Sequence, residues 1–89
     1  MNHDINALRV AAQGARKARD WPALHAIAKQ VLQLDSASAE GYFYLGLVER
    51  ARNQPRKAIE AFEQVLALDD KRYDAAVELA NLYSYARRN

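Results

Sequence analysis

Apolar side chains recur at three- and four-residue spacing along almost the whole chain, in five runs set off by short polar joints. The first run, Ile5, Leu8, Ala11, Ala12, Ala15 and Ala18, predicts a helix over 5–18, with Asp4 placed to accept from the free amides of its first turn. Arg19-Asp20-Trp21-Pro22 restarts the chain, because Asp20 is a good N-cap and proline is tolerated only in a first turn. A second helix over 21–34 follows, with Leu24, Ile27, Ala28, Val31 and Leu32 inward and Trp21 packed over the turn. Leu34-Asp35-Ser36-Ala37-Ser38 breaks the period, and Ser38 caps a third helix that runs to about Arg52. Asn53-Gln54-Pro55 repeats the logic of Asp20-Trp21-Pro22, so a fourth helix starts at Pro55 and turns Ala58, Ile59, Phe62, Val65 and Leu66 inward. On its outer side Arg56 and Glu60 are four apart, a pairing worth a few tenths of a kcal/mol. After Asp69-Asp70-Lys71-Arg72, Asp70 or a neighbour caps a fifth helix from Tyr73 to about Arg88, whose apolar set is Ala76, Leu79, Ala80, Leu82 and Tyr83.

The runs repeat one another. Counting 34 positions back from Leu66-Ala67-Leu68-Asp69 reaches Leu32-Gln33-Leu34-Asp35, and the same step links Ala11-Ala12, Leu45-Gly46 and Leu79-Ala80, so one ungapped register covers 5–89. Small residues at Ala12, Gly46 and Ala80 let helix backbones approach closely. Between Ala39 and Asp70, Tyr42 precedes Leu45-Gly46 by two intervening residues, and Ala58, Phe62 and Val65-Leu66-Ala67-Leu68-Asp69 follow. This order and spacing resembles the tetratricopeptide repeat, a helix-turn-helix unit with a W-x2-L-G-x2-Y…A-x3-F…P skeleton. Glu49 stands where the late tyrosine belongs and Asp70 where the closing proline belongs; Tyr83 supplies the tyrosine one unit later. The resemblance implies an all-α fold, antiparallel helix pairs stacked as a right-handed α-solenoid. Its units would be repeat 1 over 5–38, repeat 2 over 39–72, and a half repeat or capping helix over 73–89 in a single domain.

Composition agrees. At 89 residues the chain is one domain at most, and its three glycines and two prolines leave helix favoured nearly throughout. The absence of cysteine removes disulfides, thiolate metal sites and cysteine nucleophiles. The N-terminus has no charged segment leading into a long apolar run, and no stretch approaches the roughly 20 apolar residues that span a bilayer, so a cytoplasmic protein without membrane contact is expected.

Candidate chemistry is sparse. His3 is terminal, and His25 has no histidine or carboxylate at i+3 or i+4 to complete a metal site. Gly14, Gly41 and Gly46 are scattered on helices, and Ser36, Ser38 and Ser84 lack the context of an activated nucleophile. Asp69-Asp70 is a turn pair before a helix. No catalysis, cofactor or metal is expected. The cations Arg9, Arg16, Lys17, Arg19, Arg50, Arg52, Arg56 and Lys57 share no single stripe and the net charge is only +2, which argues against nucleic acid.

The resemblance instead implies a concave groove lined by the first helix of each pair, which binds a protein or peptide ligand. By register the groove takes Arg9, Gln13, Arg16 and Lys17 from the first unit, Tyr44, Leu47 and Arg50 from the second, and Asp74, Glu78 and Asn81 from the third. Tyr44 is the aromatic expected to anchor the ligand, with acidic ligand residues toward Arg9, Arg16 and Lys17 and basic ones toward Asp74 and Glu78. The carboxylate clamp of some relatives is not expected, because it needs basic residues where Asp74 and Glu78 stand and an asparagine where Tyr44 stands. The alternative is a spacer or oligomerisation segment. Similar alanine-rich arrays in bacterial proteins precede sulfotransferase or glycosyltransferase domains, and the unfinished third pair suggests a chain that continues and self-associates weakly through its last helix.

Overall fold

A computed structural model describes residues 5–88, with side chains through Ala86. Asp4 and His3 lie outside the described residues, as do the side chains of Arg87 and Arg88. The helices are α1 (Ile5–Ala18), α2 (Trp21–Leu34), α3 (Ala39–Ala51), α4 (Pro55–Leu68) and α5 (Tyr73–Arg88). Among the described residues there is no strand. Each helix packs on the next in sequence, and the extents of 47 × 27 × 17 Å are those of a stack rather than a sphere. The fold is an all-α helical repeat solenoid, in which each element buries its apolar face on its neighbours in the chain.

The 34-residue period is built into the backbone at the joints. Arg19 and Asn53 both adopt the left-handed conformation, with φ of 55° and 62°. At each, two amides turn back on the helix end: Asp20 N donates to Ala15 O at 2.9 Å and Arg19 N to Arg16 O at 3.1 Å, and Gln54 N donates to Glu49 O at 2.8 Å and Asn53 N to Arg50 O at 3.1 Å. This is the Schellman closure, which satisfies carbonyls a helix end would leave unpaired. The other joints match as closely. The Asp35 carboxylate accepts from Ala37 N at 3.0 Å and that of Asp69 from Lys71 N at 3.1 Å.

Helix starts differ more. Asp20 accepts from Ala23 N at 3.2 Å and Ser38 Oγ from Gly41 N at 3.1 Å, as the sequence predicts. Gln54 makes no side-chain cap, and Pro55 removes one of the amides that would need it. Before α5 the acids that bond to backbone are Asp69 and Asp74, the latter accepting from Ala75 N at 2.8 Å, and not Asp70.

The core runs through the stack as Ala12, Leu24, Ala28, Val48, Ala58, Phe62, Val65 and Ala75, all at 0% exposure. At Gly46 helices α3 and α4 come so close that a Cβ would stand 2.5 Å from Cε1 and Cζ of Phe62. That ring meets Phe43 edge-on, with centroids 5.4 Å apart. Two end helices bury narrower strips than their apolar patterns suggest. Ala11 and Ala18 of α1 are exposed, as are Ala80 and Tyr83 of α5, because each end helix has neighbours on one side only; Ala75 takes a core place instead. Arg56 and Glu60 do not pair: the ion pairs among the described residues are Arg9–Glu40 and Arg50–Glu78, across the stack, and the local pair Arg72–Asp74.

Candidate ligand-binding wall

Polar side chains of α1, α3 and α5 reach one another across the stack. Arg9 Nε of α1 donates to Glu40 Oε1 of α3 at 2.6 Å, while its Nη1 donates to Asn6 Oδ1 at 3.1 Å. Arg50 of α3 pairs with Glu78 of α5. Arg72, just ahead of α5, forks onto Asp74, with Nε donating to Oδ1 at 3.2 Å and Nη2 to Oδ2 at 3.1 Å. Between these pairs lies Phe43, 4% exposed. The guanidinium of Arg16 is 5.6 Å from its ring centroid and that of Arg72 is 5.0 Å away, both within the range of a cation–π attraction. Side chains from three helices therefore hold one wall together.

The charges on this wall tune each other. The hydrogen bond and charge of Glu40 hold the Arg9 guanidinium firmly protonated, above its ordinary pKa. Asp74, hydrogen-bonded by Arg72, is held below the usual carboxylate range, and Arg72 is raised in return by that bond. Burial pushes the Tyr44 phenol up, and Glu40 adds to the effect through its hydrogen bond and charge, so Tyr44 is neutral at any physiological pH.

Of the residues assigned to a groove from the sequence, Arg9, Gln13, Arg16, Lys17, Arg50, Asp74 and Asn81 are exposed and Glu78 is partly so. Tyr44 and Leu47 are only 4% and 3% exposed. They are structural parts of the wall and offer almost no area to a ligand. The physical reason is the position of α3, which is covered from both ends of the stack. The exposed residues gather in two hollows. Gln13, Arg16 and Lys17 line a shallow one on α1. Arg50, Glu78 and Asn81 join Asn53, Pro55, Leu82 and Tyr85 around a cleft of about 310 Å³ between the α3–α4 joint and α5. Arg9 and Asp74 line neither hollow and are tied into ion pairs.

Residues 39–72 match the sequence profile of the tetratricopeptide repeat, and the five stacked helices continue that unit on both sides. Residues 39–72 are thus similar to a tetratricopeptide repeat, set within an array of five stacked helices. A comparison with curated proteins returned no match. Tetratricopeptide repeats serve in general as protein–protein interaction modules and are typically non-catalytic scaffolds. Among the described residues no cluster of His, Cys, Asp and Glu could hold a metal ion, and no helix is long and apolar enough to cross a membrane.

Sequence reasoning missed Arg72 and the role of Glu40. Neither could be found from spacing, because Glu40 meets Arg9 from 31 residues away and Arg72 meets the Phe43 ring only when the helices stack. A signal for Tyr44 was present. The core of α3, Tyr42 to Val48, is apolar on all sides, and a helix of that kind is buried rather than half exposed.

Proposed function

We propose that this chain is a non-catalytic interaction module whose wall of α1, α3 and α5 binds an extended peptide or a partner helix. The observation that supports this most is the cross-linking of that wall. Arg9–Glu40, Arg50–Glu78 and the two guanidinium groups on Phe43 fix the relative positions of three helices, leaving hollows at both ends. A surface set before the ligand arrives loses less conformational freedom on binding. Among the described cations of this wall, Arg16 and Lys17 take part in none of the ion pairs, so acidic ligand residues are favoured there. At the other end Asp74 and Glu78 already hold Arg72 and Arg50, which weakens the preference for basic ligand residues. The test is selection of a displayed peptide library on the wild type, followed by affinity measurements with Lys17→Glu and Asn81→Ala. Both residues are exposed, and melting curves establish that the variants stay folded. Selected peptides should lose affinity for at least one variant; equal affinity for the wild type and both variants refutes the groove.

The alternative, a spacer or oligomerisation segment attached to a larger enzyme such as a transferase, is favoured by a separate feature. Tyr73 and Val77 of α5 are 73% and 60% exposed, and Ala80 continues that stripe. Weak self-association through this terminal helix is the expected consequence. Sedimentation should show concentration-dependent dimers that Val77→Lys reduces, and a monomer at millimolar concentration counts against it.

A further inference from the structure

The two α-helical joints that share the Schellman closure differ in one respect that bears on ligand choice. In the first repeat the joint is followed by Trp21, which is partly buried against the core. The residue 34 positions later is Pro55, and there the cleft of about 310 Å³ opens. The walls correspond in the same register. Tyr44, Leu47 and Val48, one register step before the cleft lining, are 4%, 3% and 0% exposed, whereas their counterparts Glu78 and Asn81 are accessible and Leu82, at 6%, stays covered. One repeat thus carries a partly buried indole at this register position, and the next a smaller proline ring beside an open cleft.

We infer that the cleft beside Pro55 is a subsite for an aromatic side chain of the bound peptide, tryptophan by preference, the residue type that the preceding repeat itself carries at the register position of Pro55. This deepens the peptide-binding reading and rests on it. The chemistry of the lining fits a flat, neutral group with one polar edge. Pro55 and Tyr85, above a floor formed by the covered Leu82, give the apolar contact that makes aromatic side chains the strongest anchors of an interface. Arg50 and Glu78 neutralise each other, so the subsite has no net demand for a charged ligand. The amides of Asn53 and Asn81 can each donate to and accept from a peptide backbone. A lysine or glutamate in the same place would leave its charge against an ion pair already satisfied.

The experiment uses N-acetyl-L-tryptophanamide as the probe and N-acetyl-L-leucinamide as its aliphatic control, titrated into the labelled 89-residue chain and followed by NMR. The tryptophan probe should shift the side-chain amides of Asn53 and Asn81 and the methyls of Leu82, and bind at least fivefold more tightly than the leucine probe. Pro55→Trp, which restores the indole of the first repeat, should keep the fold, as its melting curve will show, and lower probe affinity at least tenfold. Tyr85→Ala, at a half-exposed residue, gives a second reading that does not depend on Pro55→Trp folding, and should weaken binding severalfold. Absence of shifts at the cleft, equal binding of both probes, or unchanged affinity in Tyr85→Ala overturns the subsite. Library peptides that lose affinity for Lys17→Glu and none for Pro55→Trp would overturn the subsite and leave the groove standing. Probe binding at the cleft without any selected peptide would refute the groove and, with it, the assignment of the cleft to a peptide side chain.

Discussion

Gly46 offers the sharpest test of the packing. An alanine there places its methyl 2.5 Å from two atoms of the Phe62 ring and 2.8 Å from a third. Carbon atoms rest at about 3.5–4.0 Å, so the ring must retreat by roughly 1 Å. It has little room to do so, being 0% exposed and edge-on to Phe43, itself covered by Arg16 and Arg72. Overpacking of this kind costs about 1–3 kcal/mol, against which the higher helix propensity of alanine returns about 1 kcal/mol. The expected result for Gly46→Ala is a net loss of up to about 2 kcal/mol. Gly14→Ala isolates the propensity contribution, because a Cβ at Gly14 meets nothing within 4 Å in the middle of α1. It should stabilise the protein by up to about 1 kcal/mol, and the difference between the two variants measures the contact with Phe62. Urea unfolding followed by circular dichroism reads both; in a domain of this size 1 kcal/mol moves the melting temperature by about 4–8 °C. Adding Phe62→Leu to Gly46→Ala should recover part of the loss relative to the sum of the single variants. If Gly46→Ala stabilises as much as Gly14→Ala, helices α3 and α4 do not cross at this point.

Three further outcomes are expected. Arg19→Gly should raise stability by up to about 1 kcal/mol, because Arg19 is held at a φ of 55° that glycine adopts without strain, and Asn53→Gly should gain less since asparagine tolerates that region; a lower melting temperature for Arg19→Gly refutes the joint geometry. Ser38→Ala removes the acceptor for Gly41 N and should cost about 1 kcal/mol in the same unfolding assay, with no change counting against the cap. The folded pKa of Asp74 lies below its unfolded value, so its carboxylate stabilises the fold above the unfolded pKa of about 3.9, and this contribution disappears as the pH falls through the lowered folded value. With the carboxylate half exposed, Asp74→Asn should cost less than about 1 kcal/mol at neutral pH and nothing below that acid range; a gap between variant and wild type that persists in acid refutes the assignment.

The fold was legible because its information is local and repeated. The bounds of α2 and α4 follow from period, cap and proline, and each reading checks the other 34 residues away. The wall was legible only as a set of exposed positions on α1 and α5. For α3 the register placed Tyr44 and Leu47 toward a groove but could not show how far the flanking helices close over them. Arg72 sat in a polar joint with no local feature directing its guanidinium to Phe43, a contact made only when α3 and α5 come together. The cleft beside Pro55 depends on a residue that is small where its counterpart is large, and pattern analysis, which asks whether positions agree, passes over where they differ in size.

Two interchangeable joints pose a hazard that the core itself answers. Because the turns after α1 and α3 close with the same hydrogen bonds, nothing in the backbone forbids α1 from docking on α4, or α3 on a copy of α2, during folding or between neighbouring molecules. The side chains discriminate. The counterparts of Gly46 and Phe62 by register are Ala12 and Ala28, both fully buried, so one repeat sets no side chain against a large ring and the register gives the other two methyls. Exchanging partners would set Ala12 against Phe62, which overfills the crossing, or Gly46 against Ala28, which leaves a hole. The uneven sizes act as a key code on a chain whose turns after α1 and α3 are alike, favouring the order of helices in which both crossings are filled.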